Sequence, residues 1–521
     1  MKPQRVIVVG AGIGGLVSAL ELAAQGVDVL VLERAAQPGG KMRQVEVGGA
    51  LMDAGPTVFT MRWVFEELFE AVGTRLSDHL KLQPVSVLAR HAWSEKERLD
   101  LFADVQRSAA AIGDFAGAAA SRGYLDFCAR AQRIYQTLEA PFLRGSRPSP
   151  WSLASRVGVR GLPGLMRISP LTTLWGELGK HFADPRLRQL FGRYATYCGS
   201  SPFMAPATLM LVAHVEQAGV WQVEGGMHRV AVTLARLAQE RGASIRYQAH
   251  VDAILTSAGR ASGVRLVGGE ELPAQAIVFN GDVAALASGR LGSAVTAGAP
   301  PAPESRRSLS ALTLNLLAST RGFPLARHSV FFSNDYRREF DDIFVHARLP
   351  SSPTVYVCAQ DRFDAGTAAP DGPERLLCIV NAPANGDAGS FTPEEISTCE
   401  AHIFRTFEHC GLQVAHAPAN TLTTTPRDFE RLFPATGGAL YGQASHGWMA
   451  SFSRPGSRSR VPGLYLAGGS THPGPGVPMA ALSGRQAAAS LLADRAAARG
   501  SARPSTRPSP PAATPGGTST R

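Results

Sequence analysis

Arg5-Val6-Ile7-Val8-Val9-Gly10-Ala11-Gly12-Ile13-Gly14-Gly15 is the stretch around which the rest of the chain is organised. A short apolar run ends in a glycine turn. Ile13 to Gln25 then carries apolar residues at helical spacing, with Ile13, Leu16, Val17, Leu20 and Ala24 on one face. The order is strand, tight turn, helix. A second strand, Val27 to Leu32, ends in Glu33, 18 residues beyond the last glycine of the G-x-G-x-x-G pattern. A dinucleotide-binding unit places its ribose-binding carboxylate at about this position. Gly10 permits the turn, Gly12 lets backbone approach a pyrophosphate, and Gly15 lets helix and strand close-pack. The helix start at Gly14 faces the phosphates with unpaired N–H groups and a partial positive charge.

The chain of 521 residues is too long for one ordinary core, which implies two domains or one large domain with insertions. Its 45% hydrophobic content is that of a folded globular protein. Six scattered cysteines without a C-x-x-C argue against a zinc knuckle or redox pair and fit a reducing cytoplasm, and no metal site is expected. The net charge of +10 is carried almost entirely by arginine. No run reaches the roughly 18 apolar residues of a membrane span. The N-terminal apolar run stops at Val9, too early for a signal peptide. The expectation is a soluble or peripheral protein.

Beyond Glu33 the sequence asks for more than a nicotinamide site. Arg34, the run Pro38-Gly39-Gly40-Lys41-Met42-Arg43 and the run Leu51-Met52-Asp53-Ala54-Gly55-Pro56-Thr57 supply a second glycine pair and cations where chain must pass under an extended FAD. Near the other end, Leu464-Tyr465-Leu466-Ala467-Gly468-Gly469-Ser470-Thr471-His472-Pro473-Gly474-Pro475-Gly476-Val477-Pro478-Met479 repeats the logic of strand, glycine turn and helix start. The candidate FAD contacts are Gly10, Gly12, Gly14, Gly15, Glu33, Arg34, Gly40, Lys41, Asp53, Gly55, Pro56, Thr57, Val251, Gly468, Gly469, Gly476, Val477, Pro478 and Met479.

Between these ends lie two strand-like runs, Val85 to Arg90 and Arg98 to Phe102, and then alanine-rich helical stretches. Residues 140–176 contain no acid, but they carry Arg144, Arg147, Arg156, Arg160 and Arg167 among apolar residues that include Trp151 and Trp175. Such a composition suits either docking onto an anionic membrane surface or a core-packing segment with solvated arginines. No aromatic and basic pattern of a nucleic-acid-binding module is present. A helix over 228–241 and strands over 244–255 lead back to the nucleotide domain. Strands over 309–319, 329–332, 354–360 and 375–382 and a helix over 394–410 form a second sheet. The fold class is α/β, a Rossmann-like FAD-binding domain (1–83, 222–300 and 430–495) with an inserted substrate domain. That insertion comprises a helical, membrane-docking region (84–221) and a mixed sheet with a helix (301–429), and a disordered basic tail follows (496–521).

The glycine turn, Asp53-Ala54-Gly55-Pro56-Thr57 and Ala467-Gly468-Gly469-Ser470-Thr471-His472-Pro473-Gly474 together resemble the bacterial carotenoid desaturases of the phytoene-desaturase type, in the flavin amine oxidase superfamily. The resemblance runs from Arg5 to Ala493. Thr57 to Phe65, Tyr194 to Met204 and Pro353 to Arg362 look most like the hydroxyneurosporene (methoxyneurosporene) desaturases. Lys41 departs from the arginine of many relatives, and Asn280-Gly281-Asp282 from a common Asn-Ala-Asp. The resemblance implies FAD, an acyclic 1-hydroxycarotenoid substrate, a new C-3,4 double bond, and quinone or oxygen as electron acceptor. It also implies a peripheral position on the cytoplasmic face of the inner or photosynthetic membrane. Phytoene desaturation, or another polyene desaturation or isomerisation, is the alternative within the family, and a non-catalytic prenyl-lipid carrier is the alternative outside it. Glu224, His214 and His472 are the candidates for a general base, and Tyr194, Tyr197 and Gln217 for binding the substrate hydroxyl.

Overall fold

The computed structural model describes residues 5–149, 171–363, 370–389 and 391–501, together with Ser152 and Ser155. Its first sheet is parallel throughout, with five strands in the order Ser244–Arg246, Val29–Leu32, Val6–Val9, Ala276–Phe279 and Leu464–Leu466. Val6–Val9 is apolar without alternation because both of its faces are covered. Val6 and Val8 belong to the large core with Leu16 and Leu20 of the helix Ile13–Ala24, whereas Ile7 belongs to a separate core with Ile254 and Val264. That helix packs against the helices His228–Glu240 and Val477–Ser501. The second contact needs a glycine, since a Cβ on Gly484 would lie 2.3 Å from the Gly14 carbonyl oxygen.

The second sheet runs Leu412–Ala415, Ser310–Gly322, Glu374–Ala382, Val355–Ala359, His328–Phe331, Val87–Ala92 and Arg98–Phe102, with Thr421–Thr424 also paired to Ser310–Gly322. Its strands sort their side chains by the period of two that pleating imposes. Leu312, Leu314, Leu316, Leu376, Cys378 and Val380 face Ile403 and Phe407 of the helix Pro393–His409 in one core. Ala311, Thr313, Leu377, Ile379 and Asn381, on the opposite face, line a cavity. The helices Ala118–Leu138 and Leu211–Gln217 supply part of the remaining wall through Leu138, Leu211, Val212, Val215 and Glu216, and Leu174–His181 and Pro185–Gly192 belong to the same helical region.

Four details differ from the sequence reading. The strand expected over 244–255 breaks at Gln248, where φ is 54°, and Val251–Ser257 opens a separate antiparallel sheet with Arg260–Leu266 and Glu271–Pro273. Val87–Ala92 pairs in parallel with His328–Phe331 and antiparallel with Arg98–Phe102, so both early strands extend the second sheet instead of belonging to the helical region. Val220–Val223, where the sequence reading named no element, pairs with Phe59–Thr60 and Leu82–Pro84 in a small three-stranded sheet. The last helix runs through 496–501, which were expected to be tail, and 502–521 lie outside the described residues. Among the described residues no helix is long and apolar enough to cross a membrane.

Candidate active site

The glycine turn has the shape its sequence requires. Gly10 has a φ of 97°, and a Cβ on Gly15 would lie 2.1 Å from the Gly10 carbonyl oxygen. The helix it opens has Gly12 at its N-cap, which offers no side-chain hydrogen bond, and no acid lies in the first turn. Its leading amides are therefore left for an anion. Glu33 stands at the rim, its Oε2 accepting from the Ala11 N–H at 2.6 Å and its Oε1 from the Ala35 N–H at 2.8 Å. Gly39 crosses over the turn, its N–H donating to the Ala11 carbonyl at 2.8 Å, and a Cβ on Gly40 would meet Gly12 Cα at 3.3 Å. An uncapped helix start without room for side chains, with a carboxylate at its edge, fits the pyrophosphate and ribose of a dinucleotide.

The other expected FAD contacts divide into three groups. Lys41, Gly55, Pro56, Thr57, Gly476, Val477, Pro478 and Met479 line the cavity. Gly468 packs against Gly14 and donates its N–H to Ser483 Oγ at 2.8 Å, while Gly469 offers its carbonyl to Arg454 at 3.1 Å. Three residues have other tasks. Asp53 accepts from the Met227 N–H at 2.6 Å, at the start of the helix His228–Glu240, and its carbonyl accepts from Asn315 and Gln360. It thus ties the start of that helix to the second sheet. Arg34 donates to the carbonyls of Arg431 and Leu432. Val251 is buried in the core that backs the first sheet.

The cavity has a volume of about 710 Å³ and is enclosed by all three parts of the fold. Most of its wall is apolar, with Val58, Met61, Leu138, Phe142, Leu209, Val212 and Ile379 among the lining residues. A polar cluster interrupts it. Tyr194 and Tyr197 donate to Glu216 Oε2 and Oε1, each at 2.7 Å, and Arg193 Nη2 donates to the Tyr197 hydroxyl at 3.3 Å. Arg193 also lies over the Tyr356 ring at 5.6 Å. The Tyr356 hydroxyl is 2.6 Å from Thr57 Oγ1 and 2.8 Å from His328 Nδ1. Burial raises the Glu216 carboxyl above its ordinary range and, with Arg327 and Arg193 nearby, lowers His328 to about 3, so that imidazole is neutral.

None of the proposed general bases lines this cavity. Glu224 is exposed and pairs with Lys81 at 3.4 Å. His214 packs against the Tyr135 ring. His472 donates from Nε2 to the Phe142 and Gly145 carbonyls, which makes it a brace for that turn. Of the residues expected to bind a hydroxyl, Tyr197 lines the cavity, Tyr194 stands behind it through Glu216, and Gln217 donates to Cys128 Sγ instead. Two of the expected membrane arginines make internal contacts: Arg144 pairs with Glu67 and Glu139 and stacks on Trp63, and Arg147 donates twice to the Phe452 carbonyl. Trp175 packs on Phe203. Trp151, Arg156, Arg160 and Arg167 lie outside the described residues. The sequence reading missed Arg193, Glu216, His328 and Tyr356; only the spacing of Arg193, Tyr194 and Tyr197 hinted at a cluster.

Known proteins place this arrangement in a family. Residues 13–492 match the family described as "Flavin containing amine oxidoreductase". A curated relative named hydroxyneurosporene desaturase, from Rubrivivax gelatinosus, is 58% identical over 95% of this chain and 94% of its own length. One of the same name from Cereibacter sphaeroides is 45% identical over 94% of this chain and 98% of its own. A solved structure of putrescine oxidase bound to putrescine superposes with a TM-score of 0.58 at 15% identity, covering 94% of this chain and 99% of that one, a likeness of fold alone. The chain belongs to the flavin containing amine oxidoreductases and, within them, to the hydroxyneurosporene desaturases.

Proposed function

We propose that the protein is an FAD-dependent desaturase that introduces the C-3,4 double bond into acyclic 1-hydroxycarotenoids. The observation that carries this reading is a mainly apolar cavity of about 710 Å³, lined by the Gly55-Pro56-Thr57 loop and by a polar cluster, in a chain 58% identical to a hydroxyneurosporene desaturase. Bound FAD supplies the two-electron acceptor for the hydride that leaves C4 of the substrate. The protein's part is to hold the polyene against that acceptor and to keep water out. The walls formed by Leu138, Phe142, Leu209 and Val212 do both. Positive charge left at C4 spreads over the polyene and acidifies the C3 proton, so no strongly basic side chain is needed for its loss. Quinone or oxygen then takes the two electrons.

So apolar a substrate is stored in membrane, and the cavity offers a route to one. Trp448 lines the cavity yet is 47% exposed, with Met449 and Met204 also exposed beside it. The Gly447 N–H donates to the Met204 carbonyl at 3.0 Å, which holds the two loops together. We place the membrane contact at this rim, on a membrane's peripheral surface. To test the function, FAD-loaded protein is given liposomes containing either 1-hydroxyneurosporene or phytoene and the pigments are separated by chromatography. A red-shifted product from the hydroxylated substrate alone is expected. Conversion of phytoene alone would move the protein to the phytoene desaturases, and FAD binding without conversion of any polyene would favour a carrier.

A further inference from the structure

Charged side chains in an apolar cavity cost energy unless they are paired and hydrogen-bonded, so a pair kept there marks a polar subsite. Arg193 and Glu216 both line this one, and Tyr197 lies between them. The Tyr197 hydroxyl accepts from the guanidinium at 3.3 Å and donates to the carboxylate at 2.7 Å. A hydroxyl needs one donor and one acceptor, and this side chain shows how the pair satisfies one. Tyr194 fixes the other carboxylate oxygen at 2.7 Å, so Glu216 is held in place before any ligand enters.

The position of the pair matters as much as its chemistry. Arg193 lies over Tyr356, whose hydroxyl is 2.6 Å from Thr57 Oγ1, in the Gly55-Pro56-Thr57 loop that lines the cavity and that the FAD reading sets beside the flavin. On that reading the polar pair stands near the reacting end of the cavity. In a 1-hydroxycarotenoid the oxygen is four bonds from C4, a reach of about 5 Å with bonds near 1.5 Å. A group that grips this oxygen beside the flavin also fixes which carbons face it.

The geometry points to Arg193 and Glu216 as the socket for the substrate's tertiary hydroxyl, Arg193 donating to it and Glu216 accepting from it, with Tyr197 positioning both. One contact then selects the hydroxylated substrate and sets the oxidised carbon pair. This inference rests on the desaturase reading above. A site built to bond a hydroxyl rejects the analogue without one, because its own polar groups are then left unpaired.

The test compares 1-hydroxyneurosporene with neurosporene, which lacks the hydroxyl, on FAD-loaded wild type and on Arg193→Met, Glu216→Gln and Tyr197→Phe. Equilibrium binding is read from the polyene absorption shift, and kcat/KM from pigment chromatography. The wild type should favour the hydroxylated pigment in both, and each variant that retains flavin should lose at least tenfold of that preference. Tyr197→Phe keeps the ring and guards against misfolding of the charge variants, and Glu224→Gln, on an exposed residue, should leave the preference intact. An unchanged ratio in flavin-loaded variants would overturn the socket. A wild type that takes both pigments equally would remove the socket and leave the desaturase standing. A wild type that binds and converts neither would remove the desaturase reading and the socket with it.

Discussion

Gly12 and Gly15 stand three residues apart and should respond differently to the same methyl group. A Cβ on Gly15 meets the Gly10 backbone at 2.1 Å, whereas one on Gly12 meets the end of the Asn280 side chain at 2.7 Å. Backbone cannot yield and a side-chain amide can. We expect Gly15→Ala to lower stability by about 1–3 kcal/mol and to purify without flavin. Gly12→Ala should keep its thermal transition and lose flavin affinity, because the new methyl occupies the approach to the pyrophosphate. Flavin absorbance and calorimetry on each variant check both outcomes. Glu339 offers a pH test. It is buried behind the cavity wall, accepting from Thr354 and Asn381, and burial raises its carboxyl from 4.5 to about 7. Its protonated form is the one the fold prefers. The associated stability is present below the unfolded value near 4.5 and is lost as pH rises through about 7. Denaturant melts should therefore show stability falling across that window, and Glu339→Gln should flatten the slope. An identical slope in the variant would locate the titration elsewhere.

At the scale of elements, the helix Pro393–His409 shows how far packing can be separated from chemistry. Thr392 and Glu395 form a capping box at its start, and Ile403 and Phe407 fill the face of the second sheet turned away from the cavity. Replacing Phe407 by alanine should cost about 3–5 kcal/mol. Thr392→Ala should cost about 1 kcal/mol. Neither residue touches the cavity, so the flavin spectrum and the pigment preference of the surviving folded protein should match the wild type. A changed spectrum in Phe407→Ala would mean that the sheet transmits strain to its other face. The strand Ser310–Gly322 separates the two roles residue by residue, with Leu312 and Leu314 turned to the helix and Ala311 and Thr313 to the cavity.

For the whole molecule, the proposed membrane contact at the cavity rim is the point to test. Arg144 is held by Glu67, Glu139 and Trp63, so reversing its charge should disturb the junction of helices it braces. Trp448 and Met449 are exposed at the cavity rim and have no such internal duty among the contacts described. The double substitution Trp448→Glu, Met449→Glu should cut sedimentation with carotenoid-loaded liposomes severalfold. It should leave activity on detergent-dispersed substrate near the wild-type level. Sedimentation unchanged by the double substitution would move the contact to another face.

Local patterns settled much of this protein in advance. The strand, glycine turn and helix from Arg5 onward, the carboxylate at Glu33 and the strands over 309–319, 354–360 and 375–382 are legible because turn chemistry and hydrophobic period act between neighbours in sequence. The family was legible in the Asp53 to Thr57 and Ala467 to Gly474 motifs, and homologues bear it out. The cluster in the cavity was not legible. Thr57, Arg193, Glu216, His328 and Tyr356 come from five distant stretches, and each taken alone is an ordinary polar residue. Folding brings them together and buries them beside one another, and burial is what makes a charge in an apolar wall significant. By the same logic the contacts of Asp53 at a helix start, of Arg34 with the Arg431 carbonyl, of Glu224 with Lys81 and of His472 with the Phe142 carbonyl are tertiary and were not legible in the sequence.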